Sequence, residues 1–289
     1  MAMTGPAQLR KLLQEKELLV APGAYDGLGA RLIEQAGFDV VYMGGALTSS
    51  TFGLPDYGLT TMTEMAHNAA KLVSAIEVPL IADADTGYGN ELNVTRTVRE
   101  FERRGVAGIH LEDQVTQKRC GHLDDKEVVS RAEFISRIRA AVAARSNDDF
   151  VVIARSDALA PLGFDEAVWR MNAALDAGAD MAFIDAPQTM EQLASIPRQV
   201  KGPCMLNVVS GGKTPDVDLR MAQDMGYRVA ILSSLLIFSA LKAFDDALSS
   251  LRRTGKTPPN ASTPELRDLF RRLGGDRWDR IRATAQSGR

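Results

Sequence analysis

Eight short apolar runs, several of them rich in Val and Ile, recur along the chain and alternate with segments of helical spacing. The runs are 18–22, 39–44, 79–83, 107–112, 150–155, 181–185, 204–207 and 228–232. In one intervening segment, Val94, Val98 and Phe101 follow each other at helical intervals. Short apolar runs are typical of buried strands, and a spacing of three or four residues is typical of amphipathic helices. The alternation predicts parallel strands that are joined by crossover helices.

A glycine lies at four of the predicted joints between a helix and the next strand. These are Gly37, Gly105, Gly178 and Gly226. Glycine readily adopts the left-handed conformation that ends many helices. Eight parallel strands with such tight turns, within about 230 residues, fit a (β/α)8 barrel better than a doubly wound sheet. We therefore predict an α/β fold in which residues 1–250 form a (β/α)8 TIM barrel and serve as the catalytic domain.

The pattern changes near residue 251. The segment 252–268 contains three prolines, which prevent a continuous helix, together with Asn, Ser and Thr residues that favour turns. Beyond it, 265–273 and 276–285 carry apolar residues on one side of predicted helices, and such a face needs a surface to pack against. We predict that 251–289 is a linker followed by a C-terminal helical oligomerisation segment. Packing of these helices on the chain's own barrel is the alternative.

Composition and charge narrow the range of functions. The 289-residue chain is 45% hydrophobic, and its 34 basic and 37 acidic residues nearly cancel and are scattered. We therefore expect neither nucleic acid nor membrane as a partner, and we favour a small-molecule substrate. The most apolar stretch, 229–244, is interrupted by polar residues and is shorter than the roughly 20 apolar residues that span a bilayer. Two cysteines and no export signal predict a cytoplasmic protein.

Acidic residues end two neighbouring apolar runs. Asp83 and Asp85 close the third run, where residues i and i+2 of an extended chain point to the same face, and Glu112 and Asp113 close the fourth. Close carboxylates need a counter-ion, and oxygen ligands without Cys or His favour a hard cation, Mg²⁺ rather than Ca²⁺. In a barrel these residues would meet at the C-terminal strand ends, where barrel enzymes have their active sites. A solvated acidic turn is the alternative for a single pair.

A cysteine lies in the charged segment Lys-Arg-Cys-Gly-His, residues 118–122. Flanking Lys, Arg and His side chains favour the thiolate, so we expect Cys120 to exchange a proton near neutral pH, as a proton donor or a nucleophile. A buried apolar cysteine is the alternative interpretation, and it is the one that we prefer for Cys204. His122 shares the charged segment, whereas His110 and His67 are predicted to be structural.

Arg155 ends the fifth apolar run and is followed closely by Asp157. An arginine at a barrel mouth can hold a substrate carboxylate with two parallel hydrogen bonds. A structural ion pair between Arg155 and Asp157 is the alternative.

Taken in order, six segments at predicted strand ends resemble the isocitrate lyase/phosphoenolpyruvate mutase superfamily. They are GLPD (53–56), DADTGYGN (83–90), HLEDQ (110–114), KRCGH (118–122), ARSDA (154–158) and GGKTP (211–215). The resemblance spans most of residues 18–245. The cysteine segment resembles the lyase branch and carboxyphosphonoenolpyruvate phosphonomutase, since simple phosphoenolpyruvate mutases lack that cysteine. The chain is most similar to the group of 2-methylisocitrate lyases, 2,3-dimethylmalate lyases and carboxyphosphonoenolpyruvate mutases.

The resemblance implies a Mg²⁺-dependent barrel that forms a homotetramer, with dimers that swap a C-terminal helix; Mn²⁺ is the alternative metal. It implies that Asp83 and Asp85 bind the metal, that Glu112 reaches it directly or through water, and that Cys120 is the general acid on a mobile gating loop. The residues implied at the substrate are Tyr42, Gly44, Gly45, Ala46, Asp56, Gly121, Arg155 and Asn207, with Lys118 and His122 in support.

Four departures from the family pattern bear on the substrate. Gly44 replaces a frequent Ser or Thr, Asp185 is one methylene shorter than the usual Glu, and Ser210 stands where a Glu is common. Phe238 takes the place of an arginine that 2-methylisocitrate lyases use for a third carboxylate. The third carboxylate of a tricarboxylate substrate would then have no cationic partner, at a cost of several kcal/mol. We therefore expect isocitrate and 2-methylisocitrate to be poor substrates.

These observations predict a Mg²⁺-dependent carbon–carbon lyase that cleaves an alkyl-substituted 2-hydroxy dicarboxylate of the dimethylmalate type to pyruvate or a related 2-oxo acid and a carboxylate. Arg155 would stabilise the enediolate-like fragment and Cys120 would protonate it, with Tyr42 as a candidate base. A phosphonate enzyme that resembles carboxyphosphonoenolpyruvate mutase is one alternative. The others are an oxaloacetate hydrolase or decarboxylase, and a metabolite-binding barrel without catalysis.

Overall fold

The protein is described by a computed structural model that covers residues 3–258 and 265–287. Eight strands lie close to the predicted runs. They are β1 (Leu19–Pro22), β2 (Val41–Met43), β3 (Leu80–Asp83), β4 (Gly108–Glu112), β5 (Val151–Ser156), β6 (Met181–Ile184), β7 (Cys204–Asn207) and β8 (Val229–Leu232). Consecutive strands from β2 to β8 pair in parallel, and β8 pairs with β1. A parallel bridge between Gly23 and Tyr42 connects β1 to β2, so the predicted (β/α)8 barrel is confirmed.

Helices alternate with these strands. They are α1 (Gly5–Glu15), α2 (Gly27–Gln35), α3 (Gly45–Thr51), α4 (Met62–Ala75), α5 (Glu91–Arg103), α6 (Arg131–Ala144), α7 (Leu159–Leu162), α8 (Phe164–Asp176), α9 (Met190–Gln199), α10 (Leu219–Met225), α11 (Leu235–Thr254), α12 (Leu266–Arg272) and α13 (Gly275–Gln286). The four predicted joint glycines all have positive φ angles, as expected for residues that end helices.

The core has two layers. One lies between the strands and the surrounding helices, and the other fills the barrel interior. Leu9 of α1 is fully buried in the interior layer beside Leu19, Val151 and Val229, which begin or nearly begin their strands. Helix α1 therefore closes the N-terminal end of the barrel. The C-terminal end, where barrel enzymes have their active sites, is opposite.

The chain divides into two compact units, Met1–Ile237 and Phe238–Arg289. The second unit contains most of α11 together with α12 and α13, and no side chain of these three helices is buried among the described residues. The predicted tail helices at 265–273 and 276–285 are present as α12 and α13. Pro259 and Pro264 of the predicted linker lie outside the described residues. No helix in the described ranges is long and apolar enough to cross a membrane.

Candidate active site

Most of the predicted site residues lie at the C-terminal ends of the strands. Asp83 and Glu112 are the last residues of β3 and β4, Arg155 is the next to last of β5, Asp185 follows β6, and Asn207 ends β7. All five are buried. Glu112 and Arg155 are also register partners across β4 and β5. The barrel thus brings acidic and basic side chains from four strands, and the amide of Asn207 from a fifth, to one rim.

Asp83 and Asp85 are held close together by backbone groups. Asp83 Oδ1 accepts a hydrogen bond of 2.8 Å from the Asp85 amide, and Asp83 Oδ2 accepts one of 2.9 Å from the Gly45 amide. Asp85 adopts a left-handed φ of 47°, which is uncommon outside glycine. A Cβ on residue 45 would lie 2.9 Å from Asp83 Oδ2 and 3.0 Å from Asp85 Oδ1. Glycine at position 45 therefore allows the α3 backbone to contact the acidic pair.

Lys118 places its ammonium among these acids. Its Nζ lies 2.7 Å from Asp85 Oδ1 and 2.7 Å from Asp56 Oδ1, and the side chain is buried. Burial alone would lower the pKa of Lys118, but Asp85, Glu112 and Asp56 outweigh it and raise the pKa well above 10.5. Lys118 therefore remains charged and neutralises part of the acidic cluster.

The acidic group fits a hard divalent cation. Both carboxylate oxygens of Glu112 and Asp85 Oδ2 are buried and have no hydrogen-bond partner, whereas Asp85 Oδ1 is paired with the Lys118 ammonium. Burial raises the pKa of Glu112 well above 4.5 and also raises the pKa of Asp85. Such oxygens need a cation or a proton, and oxygen ligands suit Mg²⁺. In the described ranges no three acidic, His or Cys side chains already stand in ligand geometry, so Asp83, Asp85 and Glu112 would have to adjust to hold a cation.

Arg155 is fixed by two carboxylates. Its Nε donates to Asp157 Oδ2 at 2.9 Å, and its Nη2 donates to Asp185 Oδ2 at 2.9 Å. Nε also lies 3.4 Å from Glu112 Oε2. The structural pair with Asp157, the alternative interpretation of Arg155, is therefore present, and it orients a guanidinium that also lies at the rim.

The loop that carries Cys120 lies directly on this rim. A Cβ on Gly121 would come within 1.8 Å of Asp185 Oδ2 and within 2.6 Å of Arg155 Nη2. The Cys120 amide donates to the backbone oxygen of Asp56 at 3.1 Å. The loop is therefore closed over the strand ends, and residue 121 must be glycine for it to come so close.

The charge state predicted for Cys120 is wrong. Burial, followed by Asp56, raises the pKa of the thiol to about 11, whereas the flanking charges were expected to favour the thiolate. The physical reason is tertiary. Lys118 points into the acidic cluster, where Asp56 and Asp85 pair with it, and the closed loop leaves Cys120 only partly exposed to water. Cys120 is thus a protonated thiol at neutral pH, which suits a proton donor.

His122 is oriented by the loop that follows β7. The Lys213 amide donates to His122 Nδ1 at 3.1 Å, so Nδ1 is an acceptor and the proton of a neutral ring lies on Nε2. Nε2 lies 3.9 Å from Asp185 Oδ1. His122 therefore stands beside Arg155's partner Asp185, in the supporting position implied by the resemblance.

His110, expected to be merely structural, contacts two site residues. Its Nε2 lies 2.9 Å from Tyr42 Oη, and its Nδ1 lies 3.6 Å from Asp83 Oδ1. Burial lowers the pKa of His110 to about 4, and burial followed by Asp83 raises the pKa of Tyr42 well above 10. The residues around Tyr42 therefore favour a protonated hydroxyl that forms hydrogen bonds, and they do not support the predicted role of base.

The remaining predicted residues lie at different places. Gly44 is the N-cap of α3, and Ala46 lies exposed in its first turn. Asn207 accepts a hydrogen bond of 2.9 Å from Ser233 Oγ. Phe238 belongs to the second compact unit, and 53% of its surface is exposed. The roles predicted for Gly44, Ala46, Asn207 and Phe238 at the substrate stay predictions.

Tyr88 and Lys126 were not expected from the sequence, and Asp113, which was predicted with Glu112 as the second acidic pair of the metal site, has a different role. Tyr88, with a left-handed φ of 62°, has a buried hydroxyl whose pKa is raised by burial, Asp85 and Asp83. Asp113 accepts hydrogen bonds from Ser156 Oγ at 2.6 Å and from the Asp157 amide at 2.8 Å, and thereby fixes the segment after Arg155. Lys126, at the end of the cysteine loop, donates from Nζ to the backbone oxygen of Gly121 and to Asp157 Oδ1. A lysine within that loop was visible in the sequence, but no local pattern marks it as buried.

Buried acids, an oriented arginine and a cysteine loop lie together at the C-terminal rim of the barrel. This combination indicates a barrel enzyme that acts on a carboxylate-containing small molecule. The family model described as phosphoenolpyruvate phosphomutase matches residues 9–252. The chain therefore belongs to the phosphoenolpyruvate mutase/isocitrate lyase superfamily, as its motifs indicated.

Three similar proteins illustrate the range of activities. The 2,3-dimethylmalate lyase of Eubacterium barkeri is 45% identical over 88% of this chain and 89% of its own length. A structure of oxaloacetate acetylhydrolase with the inhibitor 3,3-difluorooxalacetate has a TM-score of 0.94 and 41% identity, covering 98% and 97% of the two chains. Phosphonopyruvate hydrolase in complex with oxalate and Mg²⁺ has a TM-score of 0.89 and 32% identity, covering 97% and 99%. Of these relatives, 2,3-dimethylmalate lyase supports a lyase of this superfamily, and the other two are named as hydrolases.

Proposed function

We propose that the protein is a divalent-cation-dependent carbon–carbon lyase that cleaves an alkyl-substituted 2-hydroxy dicarboxylate of the dimethylmalate type. The products are pyruvate or a related 2-oxo acid and a second carboxylate. The observation that carries the proposal is the closed loop, which brings Cys120 and Gly121 over the buried acids and Arg155. The similarity to 2,3-dimethylmalate lyase supports the choice of substrate class.

Asp83, Asp85 and Glu112 would hold the cation. Mg²⁺, when bound, supplies a Lewis acid for the C2 hydroxyl and the adjacent carboxylate, and Mn²⁺ could replace it. Lys118 and Asp56 flank this part of the site and keep its charge balanced. Because the pKa of Tyr42 is raised, its hydroxyl stays protonated and donates a hydrogen bond to the substrate hydroxyl.

The reaction breaks the C2–C3 bond. The hydroxyl proton leaves to a base, C2 becomes a carbonyl, and the bonding electrons move to C3 and its carboxylate as an enediolate. Arg155 stabilises that negative charge, because its guanidinium is already fixed by Asp157 and Asp185. The protonated thiol of Cys120 then delivers a proton to C3, and the closed loop excludes water meanwhile.

The first experiment tests substrate and donor together. The protein is incubated with Mg²⁺ and dimethylmalate, other alkylmalates, 2-methylisocitrate or isocitrate, and release of a 2-oxo acid is followed with a coupled dehydrogenase. Wild type is expected to cleave an alkylmalate, and Cys120→Ser to lose at least about a hundredfold in rate, since general acids typically contribute that much. Cys204→Ser is the matched control and is expected to retain activity. Full activity of Cys120→Ser would overturn the role of the thiol.

Hydrolysis or decarboxylation of oxaloacetate is a second candidate, because the similarity to oxaloacetate acetylhydrolase spans almost the whole chain. Oxaloacetate is therefore added to the substrate panel. Formation of oxalate and acetate, detected by proton and carbon NMR, with no cleavage of any alkylmalate, would replace the lyase proposal. Products from a phosphonate, seen by phosphorus NMR, would instead favour the phosphonate alternative, and binding without turnover would favour a non-catalytic barrel.

We also propose that the protein assembles as a homotetramer in the cytoplasm. Exposed apolar side chains of α11 and α13, among them Phe244, Leu248 and Trp278, support assembly through the second unit. Phe238 lies in the same unit, and we keep it as the candidate residue that disfavours tricarboxylates. Phe238→Arg is expected to increase the rate with 2-methylisocitrate relative to dimethylmalate, and the same coupled assay measures that ratio.

A further inference from the structure

Lys126 is a buried cation at the end of the cysteine loop. Only 1% of its side chain is exposed. Its Nζ donates to the backbone oxygen of Gly121 at 2.5 Å and to Asp157 Oδ1 at 3.0 Å. A buried ammonium is unfavourable unless it is both paired and hydrogen-bonded, and these two contacts meet that requirement.

The Asp157 carboxylate, which accepts a hydrogen bond from Lys126, also pairs with Arg155. Asp157 Oδ1 accepts from Arg155 Nη2 at 3.2 Å and Oδ2 accepts from Arg155 Nε at 2.9 Å. Asp157 itself is fixed because its amide donates to Asp113 Oδ1. The Asp157 carboxylate therefore connects the cysteine loop to the guanidinium of the site.

The hydrogen bond from Lys126 to the Gly121 carbonyl lies where the loop comes closest to the barrel. Gly121 has so little space that a Cβ would lie 2.8 Å from Asp157 Oδ1, besides its clashes with Asp185 and Arg155. Lys126 holds the carbonyl of this same residue. Without the ammonium, the Gly121 carbonyl and the Asp157 carboxylate would face each other without a donor between them.

We propose that Lys126 is a positioning residue that clamps the loop 116–126 to Asp157, keeps Gly121 against the rim and keeps Cys120 partly shielded from water. Its importance for turnover rests on the proposed function, because only then is Cys120 the proton donor. The clamp itself is a property of the free protein. When the loop opens, Lys126 must leave Asp157, while Arg155 still holds its carboxylate and Asp113 still accepts from its backbone amide.

The reactivity of Cys120 toward iodoacetamide measures loop opening without any substrate. Cys204 is almost completely buried, and burial raises its pKa to about 12, so alkylation mapped by peptide mass spectrometry reports on Cys120. Lys126→Gln removes the charge but keeps hydrogen-bond donors, and Lys126→Met removes both. We expect alkylation of Cys120 to become at least about tenfold faster in both variants, because breaking a buried pair is strongly unfavourable.

Whether the alkylation rate rises or falls distinguishes loop opening from a purely electrostatic effect on the thiol. Loss of a positive charge by itself raises the pKa of a nearby thiol and slows alkylation, so acceleration requires that the loop opens. Lys213→Met is the matched control, since Lys213 forms an ion pair with Asp124 of the same loop, but Asp124 is exposed. We expect that variant to stay within about twofold of wild type.

Equal rates for Lys126→Gln and wild type would overturn the proposal, and so would equal acceleration by Lys213→Met. If Lys126→Met does not fold, as judged by circular dichroism and thermal melting, Lys126→Gln decides. The same variants are then tested for release of a 2-oxo acid, with a loss expected in kcat/KM. Absence of any cleavage by wild type would overturn the proposed function, whereas the alkylation rates would still decide about Lys126.

Discussion

At the scale of single residues, the site depends on positions where almost any other side chain would be excluded. Gly45 brings the α3 backbone onto Asp83, and Gly121 brings the cysteine loop onto Asp185 and Arg155. Both were predicted as substrate-binding residues from the resemblance. The structure adds a physical reason, because in both cases the missing Cβ allows backbone to touch a buried charged group.

Gly121→Ala tests this argument. The added Cβ would overlap Asp185 Oδ2, so we expect the loop to remain open and kcat/KM to fall at least about a hundredfold, as small misplacements at active sites do. The barrel should remain folded by circular dichroism. Gly5→Ala is the control, because a Cβ there meets its nearest neighbour at an ordinary 3.5 Å. Activity of Gly121→Ala equal to that of Gly5→Ala would show that the loop does not need this close approach.

At the scale of elements, charged side chains tie neighbouring helices together beneath the rim. Glu166, in the first turn of α8, pairs with Arg131 of α6 and with Arg170 one turn further along α8. Arg170 in turn donates to Asp113 Oδ2 at 3.2 Å. The ion pairs therefore connect α6 and α8 to the residue that fixes Asp157.

Glu166→Gln is expected to lower the free energy of unfolding in a pH-dependent way. Hydrogen bonds from Arg131, then from Arg170, lower the pKa of Glu166 to about 2, against 4.5 ordinarily. Since the folded pKa is the lower one, this stabilisation is complete above pH 4.5 and is lost as the pH falls toward 2. Urea unfolding at pH 7, 5, 4 and 3 measures the difference from wild type. Exposed Asp165→Asn is the control, and a difference that does not shrink below pH 4.5 would contradict the assignment.

At the scale of the whole molecule, the second unit presents an apolar face. On α11, Leu241, Phe244, Leu248 and Leu251 are spaced three and four residues apart, and each is about half exposed. Residues at this spacing share one face of a helix. A contiguous apolar face of this kind marks an interaction surface, and a second copy of the chain is the partner that the resemblance implies.

The double variant Phe244→Glu, Leu248→Glu is therefore expected to reduce the sedimentation coefficient to that of a smaller species. Charged side chains buried in an interface are strongly unfavourable, so assembly should weaken by more than about a hundredfold in concentration. Lys242→Ala on the same helix is the control. An unchanged sedimentation velocity profile of the double variant between micromolar and nanomolar concentration would exclude this face from assembly.

The sequence by itself determined the barrel, because eight apolar runs, helical spacing and turn glycines are local properties that agree with one global topology. It also determined which polar residues reach the rim, since the ends of parallel strands meet there. Only the tertiary structure decided the charge states and the partners. Lys118 turned out to pair with Asp56 and Asp85 instead of activating Cys120, and His110 proved to be a neighbour of Tyr42. Burial and long-range pairing set these properties, and neither is written in local sequence.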